Sequence, residues 1–384
     1  MSVGLDDIAE IKSGYDPAPE RSFSLPSRFY IEPGCMEFEK RAIFQRSWQF
    51  VCHMEKLAEP GSYIAFDIQG QSVFAVRDGD GVLRAFYNVC RHRAHELLSG
   101  TGRTKIITCP YHAWAYRLDG RLHAVRREEH IENFDKADFC LMPVRIEEFC
   151  NLVFVNLDAD AQSLKEQSGG LEAEILSYAP DIAHLTHAHR LTYRIKANWK
   201  AVVDNFLECY HCPVAHKDFC SLVEMDTYKV TTHGIYSSHM AKAGRSENSA
   251  YSVSDASVQE HAVWWLWPNM TLMRYPGAGN FMVWQFIPAG PEETYEIFDF
   301  FFENPEPSDT EMEAIRYIDE VLQQEDIGLC ESVQRGMRTP AFERGRYMAD
   351  PAGSGMSEHA VHHFHGLVLQ AYEAMAGSTT NGAG

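Results

Sequence analysis

The sequence predicts an α+β protein in which a small all-β domain precedes a larger domain of mixed strands and helices. Three observations carry this. The chain has 384 residues, more than a single core of roughly 100–200 residues organises. Between Trp48 and Leu157 short apolar runs alternate with turn signals: "SYIAFDI" before "QG", "SVFAVR" before "DGDG", then "VLRAFYNV". Gly-bearing pairs between alternating runs are hairpin signals. Beyond about Ala161 helical and strand-like patterns alternate, the mark of an α+β arrangement.

The elements follow in order. "YRLDGRLHAV" and "NLVFVNLD" extend the hairpin set. In the second domain "SGGLEAEILSY", "NWKAVVDNFLECYH", "SDTEMEAIRYIDEVLQQ" and "EHAVHHFHGLVLQAYEAM" have helical periodicity, whereas "HRLTYRIKA", "NFMVWQFIP" and "YEIFDFFFEN" read as strands. Ser308 with Glu311 forms a capping box for the third helix. Met1 to about Arg21 and the tail "AGSTTNGAG" are expected to be loose.

Composition narrows the function. A formal charge of −20 and a pI of about 5.3 disfavour nucleic acid and anionic membranes, which attract basic surfaces, and suit cationic partners. "MSVGLDDIAE" lacks the basic and apolar regions of a secretory signal, and the apolar run Val263 to Met273 is too short to span a bilayer. A cytoplasmic protein with no membrane partner is expected. Ten scattered cysteines fit reduced thiols better than a disulfide framework.

Two constellations carry chemistry. Cys90-x-His92 and Cys109-x-x-His112 stand on adjacent loops of the β domain. Thiolate and imidazole in pairs bind zinc or an iron–sulfur cluster. Zinc ribbons usually carry two cysteines per knuckle; here each loop offers one Cys and one His, so both cysteines can hold one iron and both histidines the other. Gly100, Gly102 and Pro110 suit loops whose amides approach sulfur closely. The second constellation is "NWKAVVDNFLECYHCPVAHKDF". His211 and His216 would lie about 140° apart on an unbroken helix; Pro213 between them lets His216 swing back. Two histidines and a carboxylate make the facial triad of non-haem Fe(II) oxygenases.

At these residues the chain resembles the large subunits of the Rieske non-haem iron oxygenases, from "RAIFQRSWQFVCH" to "SEHAVHHFHGLV". The resemblance implies a [2Fe–2S] cluster on Cys90, His92, Cys109 and His112, with His95 outside the ligand set. It implies a mononuclear Fe(II) on His211, His216 and an acid from "EDIGLCESVQRG", placed at Asp326 with Glu325 as rival. It gives Glu208 the role of carrying electrons between a neighbouring subunit's cluster histidine and the iron. The implied fold is a Rieske β domain (46–158) before a helix-grip catalytic domain (159–384), with residues 1–45 as an N-terminal segment. A head-to-tail homotrimer is implied, with O2 as co-substrate and electrons from NAD(P)H through a flavin or iron–sulfur reductase.

Many aromatic dioxygenases have Asp where this chain has Glu208; the Glu resembles the monooxygenases of carnitine and other betaines. These implied functions are oxidation of a C–H bond next to nitrogen in a quaternary ammonium substrate, by N-demethylation or C–N cleavage, or else aromatic-ring hydroxylation. The aromatic stretch "HAVWWLWPNMTLMRYPGAGNFMVWQF" offers Trp264, Tyr275 and Trp284 as walls for a quaternary ammonium, with Arg274 as a possible carboxylate partner. His359, His362, His363 and His365 read as positions on a packed helix rather than a second metal site.

Overall fold

The computed structural model describes residues 3–244, 248–253 and 256–381. The chain divides into two units: Phe44–Gln167, and Met1–Ile43 together with Ser168–Gly384.

The first unit is all-β. It contains β1 (Gln49–His53), β2 (Ser62–Ile68), β3 (Gln71–Arg77), β4 (Leu83–Tyr87), β5 (Thr101–Arg103), β6 (Ile107–Thr108), β7 (Ala115–Tyr116), β8 (Leu122–Ala124), β9 (Pro143–Phe149) and β10 (Leu152–Asn156). Seven strands form an antiparallel sheet in the order β1-β10-β9-β4-β3-β2-β5, and β6-β7-β8 form a smaller one. The β2–β3 hairpin closes through Gln69 and Gly70, both with positive φ, a two-residue turn whose twist matches its strands. In the "DGDG" loop, Asp78 accepts from the amides of Asp80 and Val82 and from Arg84. Phe74, Phe86, Trp114 and Tyr116 close the core, and Cys90 and Cys109 belong to it.

The second unit opens with α1 (Leu5–Gly14) and α2 (Pro33–Ala42). The first unit ends in α3 (Leu164–Ser168), and the chain continues in the second with α4 (Leu171–Tyr178), β11 (Thr186–Ile195), α5 (Trp199–Phe206), α6 (Cys212–Ala215) and α7 (Lys217–Leu222). Then come β12 (Lys229–His233), β13 (Tyr236–Lys242), β14 (Glu260–Leu266), β15 (Met270–Arg274), β16 (Asn280–Gly290) and β17 (Glu293–Phe302). A long helical segment follows, α8 (Asp309–Tyr317) running through a π-turn (Ile318–Leu322) into α9 (Gln323–Met337), and α10 (His359–Asn381) ends it. Seven antiparallel strands pair in the order β11-β17-β16-β15-β14-β13-β12. The helix α5 packs on β16, β17 and α9, the helix-in-sheet arrangement of an α+β fold.

The N-terminal stretch expected to be loose is instead folded: α1 buries Ile8 and Ile11 and packs on α10. Most of the tail expected to be loose continues α10 to Asn381; residues 382–384 lie outside the described ones. A fully buried ion pair ties α2 to α5, Lys200 Nζ standing 2.6 Å from Glu39 Oε1. Trp199 Nε1 and Tyr372 Oη donate to the same carboxylate at 2.7 and 2.6 Å. These donors are what a charge in a dry interior requires. The Ser308–Glu311 capping box is formed. No helix among the described residues is long and apolar enough to cross a membrane.

Candidate active site

Two loops of the all-β unit repeat one local design. Cys90 N donates to His95 O and its carbonyl accepts from Ala94 N; Cys109 N donates to Trp114 O and its carbonyl accepts from Ala113 N. Ala94 and Ala113 both have φ near +60°, an unusual conformation for a residue with a side chain, and it makes each turn tight enough to bring its histidine back beside its cysteine. Both thiols are buried, whereas His92 is exposed and His112 half-buried. The two imidazole centroids stand 4.6 Å apart, and His92 stacks on Trp114 at 4.7 Å.

Burial pushes the Cys90 thiol pKa up; the Tyr116 hydroxyl and the His92 amide oppose the rise, and Cys109 adds to it. Tyr116 Oη lies 3.3 Å from Cys90 Sγ and accepts from Arg91 N. Two adjacent buried thiols and a sealed His112 Nδ1 without a hydrogen-bond partner are a donor set that a cationic cluster would satisfy, taking the thiols as thiolates. Gly100 and Gly102 play no part in these loops: they flank and enter β5, where a Cβ at Gly102 would run into the Tyr63 ring. His95 contributes its backbone carbonyl.

In the second unit His211, His216 and Asp326 converge. His216 Nε2 stands 3.0 Å from both His211 Nε2 and Asp326 Oδ1, and His211 Nε2 stands 3.6 Å from that oxygen. One face of an octahedron with metal–ligand bonds of about 2.1 Å has edges of about 3.0 Å, so the three atoms fit a facial metal site. Each ring is held from behind: Glu208 Oε1 lies 2.5 Å from His211 Nδ1 and Glu325 Oε2 lies 2.8 Å from His216 Nδ1. Carboxylates at Nδ1 aim Nε2 at a metal. The rival acid Glu325 thus supports a histidine rather than facing the other two ligand atoms.

Charge in the site follows the same pattern. Burial opposes a proton on His211, but Asp326 and Glu208 outweigh it and raise the pKa to about 9. Burial would raise Asp326, and the two histidines bring it below the ordinary carboxylate range. The backbone route to this geometry differs from the expected one. No helix runs from His211 to be broken by Pro213; α5 has already ended at Phe206, Pro213 lies in the first turn of α6, and His216 sits at the break between α6 and α7. On the other side the π-turn precedes α9 and sets the rotation that faces Asp326 inward, a common use of the extra residue in such turns.

A cavity opens beside the triad between the helices and the sheet. Phe219, Tyr228, Tyr251, Tyr275, Trp284 and Tyr317 wall it. Tyr275 and Trp284 were legible as candidates; Trp264 was misassigned. Strand alternation puts His261 and Val263 of β14 on the cavity side, and Trp264 is wholly buried on the other face, edge-on to Tyr178. Arg274 is no substrate partner either, because Asp181 holds its guanidinium. Tyr228, Tyr251 and Tyr317 lie in segments with no pattern that points at a pocket. His359, His362, His363 and His365 each meet a separate partner. The expectation of ten reduced thiols needs correction as well: Cys209 and Cys212 are joined as a disulfide around Tyr210 and His211, and the other eight lie outside any disulfide.

Two family models match the chain. "Ring hydroxylating alpha subunit (catalytic domain)" covers residues 182–374 and "Rieske [2Fe-2S] domain" covers 47–135. The chain is 42% identical over 357 residues to the carnitine monooxygenase oxygenase subunit of Escherichia coli (strain K12), which spans 92% of this chain and 95% of that one. It is 38% identical over 373 residues to the protein of the same description from Acinetobacter baumannii, spanning 96% and 100%. A crystal structure of a quaternary ammonium Rieske monooxygenase in complex with L-carnitine superposes with a TM-score of 0.83, at 36% identity, over 97% of this chain and 99% of that one.

Proposed function

The chain belongs to the ring-hydroxylating oxygenase alpha subunits that carry a Rieske [2Fe-2S] domain, and from that premise we propose that it oxidises a C–H bond next to nitrogen in a carnitine-like quaternary ammonium compound. It is a Rieske non-haem iron oxygenase, with a [2Fe–2S] cluster and a mononuclear iron as cofactors. In this reading Cys90, His92, Cys109 and His112 hold the cluster, and His211, His216 and Asp326 hold the iron. The bound metals supply O2 activation, the chemistry that no protein side chain provides.

The chain's own residues do the rest. Glu208 and Glu325 fix the two ring orientations. The aromatic walls exclude water and present ring faces to a cation that cannot donate a hydrogen bond. A hydroxyl placed on carbon beside nitrogen gives a hemiaminal-type product that collapses, so N-demethylation or C–N cleavage follows without a protein nucleophile. The observation that carries the substrate reading is the aromatic cavity beside the triad, in whose wall no Lys or Arg stands among the described residues. Relatives described as acting on carnitine support it. Aromatic-ring hydroxylation has less behind it.

Oxygenases of this family draw electrons from a reductase partner. The partner proposed is a flavin/iron–sulfur reductase using NAD(P)H, and the assembly a head-to-tail homotrimer in which Glu208 links a neighbour's His112 to His211. The exposed ring of His92 beside the half-buried ring of His112 and the place of Glu208 behind His211 support that path. The proposed location is the cytoplasm, which suits a chain in which eight of ten cysteines lie outside the Cys209–Cys212 disulfide.

The test is anaerobic purification, metal and sulfide analysis, and O2 uptake with carnitine and γ-butyrobetaine in the presence of a reductase. About three irons and two sulfides per chain, with substrate-dependent O2 uptake, are expected. Zinc without sulfide, or O2 uptake with arenes alone, would refute the reading.

A further inference from the structure

The cavity has two chemically different sides. Its helical side carries the triad and Glu208; its sheet side is made by His261, Val263, Met273, Tyr275 and Trp284. A substrate with an ammonium at one end and a carboxylate at the other must set its reacting C–H groups, and hence its nitrogen, against the triad. Its carboxylate is then driven away from Glu208 and Asp326 towards the sheet side, where no Lys or Arg lines the cavity among the described residues.

On that side, among the described residues, one nitrogen-bearing side chain faces the cavity unsealed. The Tyr275 hydroxyl and the Trp284 indole nitrogen are sealed inside the wall, so these two side chains offer ring faces. His261 is different. It is only 5% exposed, lies edge-on to Phe219 at 5.3 Å and tilted to Tyr228 at 6.1 Å, and makes no hydrogen bond to any described residue. Unlike the Tyr275 hydroxyl and the Trp284 nitrogen, its nitrogens are not sealed in the wall, so its N–H can reach a ligand oxygen in the cavity. Burial also keeps the ring neutral, with its pKa down at about 4, so it has one N–H to donate. His239 is buried too, its pKa pushed down to about 3 by burial and then by the nearby His261.

Resting on the function proposed above, we propose that His261 is a specificity-determining residue: its N–H donates to the carboxylate of a trimethylammonium substrate whose nitrogen end faces the triad. The pocket thereby selects zwitterionic betaines through a neutral donor, with no Lys or Arg in its lining among the described residues.

The experiment compares γ-butyrobetaine with butyltrimethylammonium, which carries a methyl group in place of the carboxylate. Calorimetric binding to the anaerobic holoenzyme and steady-state kcat/KM are measured for the wild type, His261→Phe and His261→Gln, with iron content and Tm recorded for each. Loss of a hydrogen bond to a charged group predicts about a 10- to 100-fold loss for γ-butyrobetaine in His261→Phe, mostly in binding and KM because the contact is remote from the reacting bond. Butyltrimethylammonium should move no more than a few-fold, and His261→Gln should recover part of the loss. If Phe does not fold, His261→Leu reads the same ratio. Equal losses for both cations, or no loss, overturn the role of His261 and leave the function standing. A wild type that neither binds nor oxidises either cation overturns the function, and the role of His261 with it.

Discussion

Glu325 and Asp326 are adjacent in the sequence, yet one holds the back of a histidine ring and the other faces both ligand nitrogens. Glu325→Gln should weaken metal binding about 10- to 100-fold and leave sulfide content unchanged, which metal titration after chelation checks. His211 gives the pH dependence. Its folded pKa of about 9 lies above the reference 6.5, so its stabilisation of the metal-free protein is complete below about pH 6.5 and is lost as pH rises through 9. Fe(II) must displace that proton, so apparent affinity should climb about tenfold per pH unit between roughly pH 6.5 and 9. A flat profile in Fe(II) titrations would contradict this. Tyr116→Phe removes a hydrogen bond from Cys90 and should lower the cluster potential in a redox titration. At this scale the spacing of cysteines and histidines was legible. The division of labour between two neighbouring acids was not, because one residue of helical rotation decides it.

Among the elements, the hairpins were the most legible, since Asp-Gly and Gln-Gly turns between alternating runs leave few other readings. The first helix was hidden: its burial rests on Ile8 and Ile11 alone, too few apolar positions to stand out from a polar terminus. The route from His211 to His216 was misread because a proline marks a helix start as readily as a stop. The join between α2 and α5 is open to test. Lys200→Met leaves Glu39 buried without its cation and should cost about 3–5 kcal/mol, seen as a lower Tm. Lys200→Met with Glu39→Leu should recover much of that loss.

For the whole molecule, charge is divided unequally. The unit Phe44–Gln167 has 15 Lys and Arg against 17 Asp and Glu, and the remainder of the chain has 19 against 37. Almost all of the −20 therefore belongs to the unit with the triad, whose field attracts cations over a distance set by salt. The kcat/KM of butyltrimethylammonium should fall about 2- to 10-fold between roughly 20 and 200 mM salt, whereas that of zwitterionic γ-butyrobetaine should hardly change; equal slopes would argue against steering. The domain order was legible from patterning, but the cavity was not, because its wall is assembled from segments between Asn205 and Asp326. The π-turn at Ile318–Leu322 carries a genetic consequence. Losing one codon there would restore the ordinary helical period and turn Asp326 about 100° out of place. The same rotation would turn the buried Cys330 and Gln334 of α9 out of their packing, so such an event would remove the iron site while leaving the four cluster residues of the other unit in the sequence.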